Sequence, residues 1–432
     1  MKRLVALVGV SLSAAALSAV ASAPAQAADD SFYTPPTTLP KANGTVIRSE
    51  PQKLVVEISQ DGQTEKLPGK GTRIMYKSTN AAGKAVAVTG TYIEPTKPWT
   101  GTGARPLVGF ASGTQGQGDT CAPSKTLSSA IVVEPGSFAL GYEVPTIYGL
   151  LDKGMAVVVT DYIGLGTPDR LHTYTNRVDM GNATLDAVRA AKKLPGTSLT
   201  SASAIGLYGY SQGGGATGAA AELAASYAPE LKISGAYVGA PTADLLAILK
   251  KVDGTSLTGV IGYAINGLIE YSPQLKTILD KETNAAGKAA LEKSKTLCTA
   301  DSLFQFAFKK TTEWTTTGQS AAAVVNTYPE ALAVVEKQKL GKVKPSFPTM
   351  VLTGTQDDIV DHAQAKQLAR DWCAKGANVR YEPSIQVVPS GGTGLNHITP
   401  IFVDSGKAFS WLTDRFNGKA ASSNCGLVPI LP

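Results

Sequence analysis

Apolar positions along this chain follow two rhythms. Runs at residues 53–59, 72–78 and 85–94 are separated by segments carrying Gly, Asn and Pro, the pattern of strands joined by turns. Continuous apolar runs follow at 106–111 (PLVGFA), 155–160 (MAVVVT), 204–210, 233–238 and 348–354 (PTMVLTG). Runs of that kind predict strands buried on both faces. Helical spacing falls between them. At 182–194, Leu185, Val188 and Ala191 share one face, and an alanine-rich stretch follows residue 211. A last strand is predicted over 379–388, interrupted by Pro383, and a closing helix to about residue 416. Strands alternating with helices at this spacing predict an α/β fold with a mostly parallel central sheet.

The rhythm changes from residue 244 to 340. Helical patterns at 244–251, 257–270, 275–295, 301–314 and 321–337 are joined by few β runs. The segment is too long for a loop. It predicts a helical cap or lid insertion over 244–340, between a core formed by 28–243 and its continuation at 341–432. Residues 257–269 (LTGVIGYAINGLI) carry no charge. They suit either a lid helix facing an apolar substrate or a helix buried in the insertion's own core.

Composition changes this picture mainly at the N-terminus. Met1-Lys2-Arg3 is basic, residues 4–23 are apolar and small, and Ala25-Gln26-Ala27 fits an A-x-A cleavage site. That is a secretory signal peptide over 1–27, with cleavage after Ala27 and export. No later stretch is apolar for long enough to span a bilayer, so the mature chain is expected to lack a transmembrane segment. The formal charge is +6 with scattered lysines, which argues against a nucleic-acid partner. The three histidines, His172, His362 and His397, and the lack of any C-x-x-C argue against a metal site. The four cysteines, Cys121, Cys298, Cys373 and Cys425, are free to form two disulfides in an exported chain. Three pairings are possible, and spacing does not choose among them.

The candidate chemistry centres on Gly209-Tyr210-Ser211-Gln212-Gly213, between a predicted strand and a predicted helix. A G-x-S-x-G on such a corner is the nucleophile elbow of α/β-hydrolases. Serine is a poor nucleophile until a base in hydrogen-bond reach takes its proton and an acid orients that base. In that fold the acid and then the histidine follow the serine along the chain. His397, in a loop after the last strand, is the expected base; His362 suits a surface or packing role. The acid is expected after the strand at 348–354, where Asp357 is favoured, Asp358 is the alternative, and the third carboxylate, Asp361, caps the next helix. Oxyanion donors are expected from the Gln212 N–H and from the loop 113–116.

At these residues the chain resembles the secretory lipase family, the lipase-A type of secreted α/β-hydrolases. The resemblance rests on G-T-x-G at 113–116 with C-A-P-S at 121–124, and D-Y-x-G-L-G-T-P at 161–168. It continues with G-Y-S-Q-G-G at 209–214, D-D-I-V at 357–360, C-A-K-G-A-N at 373–378 and H-I-T at 397–399. It implies an α/β-hydrolase core with a helical cap, and cofactor-free hydrolysis of acylglycerols or other carboxylic esters, in solution or at a lipid interface. It places the triad on Ser211, Asp357 and His397, and the oxyanion positions on Thr114 and Gln212. It also implies the pairs Cys121–Cys298 and Cys373–Cys425. In one departure, Ser112 stands where many relatives carry histidine, which bears on the fine geometry of the oxyanion loop. The same triad serves an exported acyltransferase or peptidase, and the fold also admits a catalytically silent binding protein.

Overall fold

The computed structural model describes residues 30–54, 58–60, 63–65, 69–134, 136–389 and 391–432. The signal peptide expected over 1–27 lies outside the described residues, as do residues 55–57 of the strand expected at 53–59.

Nine strands form one sheet: β1 (Val46–Gln52), β2 (Gly69–Thr79), β3 (Ala85–Pro95), β4 (Leu107–Ala111), β5 (Ala156–Thr160), β6 (Ile205–Tyr210), β7 (Ile233–Gly239), β8 (Thr349–Gly354) and β9 (Val379–Ser384). Their order is β1-β2-β3-β5-β4-β6-β7-β8-β9. The pairs from β1 to β5 are antiparallel. From β5 to β9 every pair is parallel. β1 was not expected; its alternation is broken by Arg48, Glu50 and Pro51 on an edge strand, where charge and proline are tolerated.

The period-2 pattern of the strands divides the core into two layers. Leu107 and Leu207 face one way, toward α3 (Arg177–Lys193), α4 (Gln212–Tyr227) and α12 (His362–Ala374). Phe110 and Tyr208 face the other, toward α1 (Pro123–Ser129), α2 (Val144–Asp152) and α14 (Ser405–Phe416). Both faces are covered, so the central strands need no polar alternation.

Between β7 and β8 the chain runs through α5 (Leu245–Val252), α6 (Val260–Ile269), α7 (Pro273–Glu282), α8 (Ala285–Ser294), α9 (Thr299–Phe306), α10 (Ala321–Thr327) and α11 (Pro329–Gln338). These helices share an apolar core of their own that includes Ile261, Tyr263, Leu297 and Trp314, and it takes in Ile359 and Val360 from the loop after β8. The helix expected over 301–314 stops with α9 at Phe306, and two longer expected helices are each broken in two. Asn284 caps α8 by accepting the Gly287 N–H, which ends the run through 275–295. Pro329 has no N–H to continue α10, so the run through 321–337 restarts there as α11. α6 is buried rather than facing a substrate, with Asn266 donating to Gln117 and to the Leu291 carbonyl.

Two disulfides are present. Cys121–Cys298 joins the segment after β4 to the start of α9, and Cys373–Cys425 joins the end of α12 to the C-terminal strap. That strap covers the edge strand β9. The Asn424 side chain accepts the Tyr381 N–H at 2.8 Å and donates to the Tyr381 carbonyl at 2.8 Å, as a tenth strand would.

Asn424→Ala strips both partners from Tyr381. It is expected to lower stability by about 1–3 kcal/mol, with Asn424→Asp falling between it and wild type. Thermal denaturation reads this directly. Unchanged midpoints in both variants would show that the strap does not hold the edge.

Candidate active site

Ser211 lies between the last residue of β6 and the first of α4, at φ 61° and ψ −121°. A non-glycine residue seldom adopts such a backbone. The neighbours explain how it is enforced. A Cβ on Gly209 would stand 2.1 Å from the Gly213 carbonyl oxygen, and one on Gly213 would stand 2.0 Å from that of Ala111. The ends of β4 and β6 and the start of α4 therefore cross at a distance only glycine permits. The Ser211 N–H donates to the Gly239 carbonyl at 2.9 Å, which ties the corner to β7.

The expected base, His397, stands in the first turn of the helix that follows β9, and the expected acid, Asp357, in the loop after β8. His397 Nε2 is 2.9 Å from Ser211 Oγ, and Nδ1 is 2.8 Å from Asp357 Oδ2. A carboxylate only accepts, so Nδ1 carries the proton and Nε2 is left to receive the serine's. Asp357 is itself oriented, because its Oδ1 accepts the N–H groups of Ile359 at 2.9 Å and Val360 at 2.8 Å. The structure brings Ser211, Asp357 and His397, the three residues expected to form the triad, together in one chain of hydrogen bonds.

Asp358 does not approach the imidazole. It accepts the Gly394 N–H at 2.8 Å and the His397 N–H at 3.2 Å, at the start of α13 (Leu395–Val403). The two adjacent carboxylates thus serve one histidine, one through its ring and one through its backbone. Tyr210 adds a third restraint by donating to the His397 carbonyl at 2.8 Å. Asp361 accepts the Ala363 N–H and caps α12. His362 is not brought to Ser211; its Nε2 meets the Tyr381 hydroxyl at 2.9 Å, and burial pushes its pKa down.

The loop after β4 faces Ser211 across a cavity of about 240 Å³. Thr114 Oγ1 pairs with the Tyr174 hydroxyl at 2.8 Å, and the Thr114 carbonyl accepts from Tyr142 at 3.1 Å and Thr299 at 2.9 Å. The Gly113 N–H is already taken by Glu143 Oε1 at 2.9 Å. The Gln212 N–H is in the first turn of α4, where no intrahelical partner exists and the helix dipole favours negative charge. The Gln212 side chain donates to His172 Nε2 at 3.2 Å, while His172 Nδ1 donates to the Ile163 carbonyl at 3.0 Å. Burial pushes the His172 pKa down to about 4, which keeps that ring neutral and able to accept. Sequence reasoning gave no role to His172, Glu143 or Tyr174. No motif marks them, because their partners arrive from distant parts of the chain.

The cavity wall is largely apolar, with Leu140, Leu257, Leu303, Ile398 and Ile401 around Ser211 and His397. Among the described residues, no cluster of His, Cys, Asp and Glu could hold a metal ion, and no helix is long and apolar enough to cross a membrane.

The comparisons agree with this geometry at the level of fold and family. A family model described as secretory lipase matches residues 132–424. A probable inactive lipase of Mycobacterium tuberculosis is 30% identical over 396 residues, covering 90% of this chain and 82% of that protein. Lipase 10 of Candida albicans is 28% identical, covering 92% of this chain and 82% of that protein. The solved structure of Candida antarctica lipase A in its closed state has a TM-score of 0.76 at 24% identity, covering 92% of this chain and 88% of that one. That likeness shows the shared α/β-hydrolase fold.

The geometry predicts a reactive serine. A fluorophosphonate should label Ser211, as read by peptide mass spectrometry. The labelling rate should fall by about four orders of magnitude in Asp357→Asn. It should fall by about one to two orders in Asp358→Ala, which only displaces the ring. Equal losses in the two variants would contradict the division of labour between the carboxylates.

Proposed function

The chain belongs to the secretory lipase family, and from that premise we propose that it is an exported serine hydrolase of water-insoluble acyl esters, triacylglycerols among them. The observation that carries this reading is the chain of two hydrogen bonds from Ser211 through His397 to Asp357. Ser211 Oγ attacks the ester carbonyl as His397 Nε2 takes its proton. The N–H groups of Thr114 and Gln212 receive the developing oxyanion, each contributing about 3 kcal/mol to the barrier reduction. The Gly113 N–H is excluded from that task by its bond to Glu143. Collapse of the intermediate expels the alcohol, which takes the proton from His397. Water then repeats the sequence on the acyl-serine and releases the carboxylic acid. Asp357 holds the imidazole and stabilises its charged form throughout.

Two features support an insoluble substrate. The cavity wall is apolar, and its rim continues outward as exposed hydrophobic side chains. Leu140, Leu303 and Ile398 line the cavity and are each more than a third exposed. On α9 the neighbour of Leu303 is the exposed Phe304; on α13, Leu395, Ile398 and Phe402 recur at helical spacing. Such a contiguous apolar rim is costly in water unless it meets an apolar surface. In this reading the helices of 244–340 form a cap that supplies part of the rim, and residues 1–27 are removed at export after Ala27.

A second reading is favoured by one observation. The Mycobacterium tuberculosis relative carries the description of a probable inactive lipase. A silent site on this chain would have to be silent despite the assembled Ser211, His397 and Asp357.

The test is Ser211-dependent hydrolysis across acyl chain length. Chromogenic esters and an emulsified triacylglycerol should both be cleaved, with rates rising as the substrate passes its solubility limit. Ser211→Ala should abolish both activities with the fold retained. Full turnover by Ser211→Ala, or cleavage confined to aminoacyl amides, would sink the proposal.

A further inference from the structure

We propose that Glu143 is the positioning residue of the oxyanion loop, its carboxylate fixing where the backbone of residues 112–115 presents itself to the substrate carbonyl. The inference rests on the reading of Ser211 as a working nucleophile and adds to it a residue outside the triad and the oxyanion donors.

The loop after β4 has no ladder partner of its own at these positions. Its carbonyls are held by Tyr162 at Ser112, by Tyr142 and Thr299 at Thr114, and by the Thr299 N–H at Gln115, while its donors at 112, 113 and 115 converge on one side chain. Gly113 N–H donates to Glu143 Oε1 at 2.9 Å, Gln115 Nε2 donates to Oε2 at 3.1 Å, and the Ser112 side chain also hydrogen-bonds this carboxylate. Three donors between Ser112 and Gln115 are thus aimed at one group. A Cβ on Gly113 would stand 2.5 Å from the Tyr142 hydroxyl, so a larger residue there would have to displace that side chain. Glu143 is the N-cap residue of α2, whose Ile147, Leu150 and Leu151 are locked in the core. The carboxylate is therefore held by a rigid element, while the loop it grips is held by it.

A buried carboxylate without a cation is expensive. Among the described residues no lysine or arginine acts on Glu143. The groups facing it are Tyr142 beside it, Tyr162 from the turn after β5, and Tyr208 from β6. Tyr174 lies next to Tyr142 and Tyr162. Burial keeps all four phenols neutral. Ser211 and His397 share the cavity with it. Burial pushes the Glu143 pKa up to about 7, against the pull of Gly113, Ser112 and Gln115. All three partners offer protons, so the ionised form is the one that grips the loop. A costly group kept beside a cavity, with every bond directed at the oxyanion loop, is explained by placement of that loop.

The test uses the full-length exported enzyme and a soluble chromogenic ester. Glu143→Ala should lower kcat about a hundredfold with KM changed by less than about threefold, because an oxyanion contact acts in the transition state. Glu143→Gln keeps an acceptor for the Gly113 N–H and should recover kcat to within about tenfold of wild type. The pH profile separates positioning from mere structure. In wild type, protonation of Glu143 should add a loss of kcat of up to about tenfold as pH falls through about 7. In Glu143→Gln that added step in the acid limb should be absent. An identical acid limb in Glu143→Gln, or an unchanged kcat in a folded Glu143→Ala, overturns this inference alone. Absence of any Ser211-dependent turnover in wild type overturns the functional reading and this inference with it.

Discussion

The close crossing at Ser211 is the constraint on which the rest of the site depends. A serine at φ 61° costs of the order of 1–3 kcal/mol and persists only where its surroundings over-determine it. Here they do so from three sides. The Ser211 N–H is held by Gly239, its carbonyl by the Gly215 N–H, and Gly213 sits against the Ala111 carbonyl. β4, β6 and β7 thus converge on one residue. The fully buried residues of β6 keep that convergence rigid, so the hydroxyl has one place to stand. Everything else in the site is brought to that point.

It is brought there by polar bonds rather than by regular structure. The loops carrying Asp357 and Thr114, and the first turn of α13 that carries His397, would be free to drift if only their flanking elements held them. Asp357 is fixed by two backbone N–H groups, His397 by Asp358 and Tyr210, and Thr114 by Tyr142, Tyr174 and Thr299. The Cys121–Cys298 bond continues the same scheme. It fastens the oxyanion loop to α9, and the Thr299 N–H beside it donates to the Gln115 carbonyl. Thr299, the first residue of α9, also donates its hydroxyl to the Thr114 carbonyl, so the helix that supplies Leu303 to the cavity rim is bonded directly to the oxyanion loop.

The parts of this arrangement legible in the sequence are those encoded locally. Ser211 was legible because strand, glycines and helix are contiguous. His397 and the acid loop were legible because this fold places them after particular strands. The choice between Asp357 and Asp358 was open for a physical reason: both carboxylates bind the same histidine, and only orientation tells ring from backbone. Glu143, His172 and Asn424 were illegible because each acts across 30 or more positions of sequence, on Gly113, Gln212 and Tyr381 respectively. In the helical segment, periodicity showed where helices lie but not where they stop. The breaks at Asn284 and Pro329 depend on a cap and a missing N–H, which a period-3.6 count does not register.

Glu143 sets stability against function. Its folded pKa lies above that of an exposed glutamate, at about 7. A raised pKa means the folded state binds the proton more tightly than the unfolded one. The stability this confers is fully present below about pH 4.5 and is lost as pH rises through about 7. Asp161 follows the same sign, with burial raising its pKa to about 6 while Ser124 and Thr89 hydrogen-bond it. Both groups therefore make the fold more secure in mild acid. For Glu143 that is also where the carboxylate loses its charge and the grip on Gly113 and Gln115 weakens. The ionised state that places the loop is the state the fold tolerates less well. A carboxamide would relieve that conflict but would turn donors toward the donors of Gln115 and Ser112. The charge is the chemical form that satisfies all three partners at once.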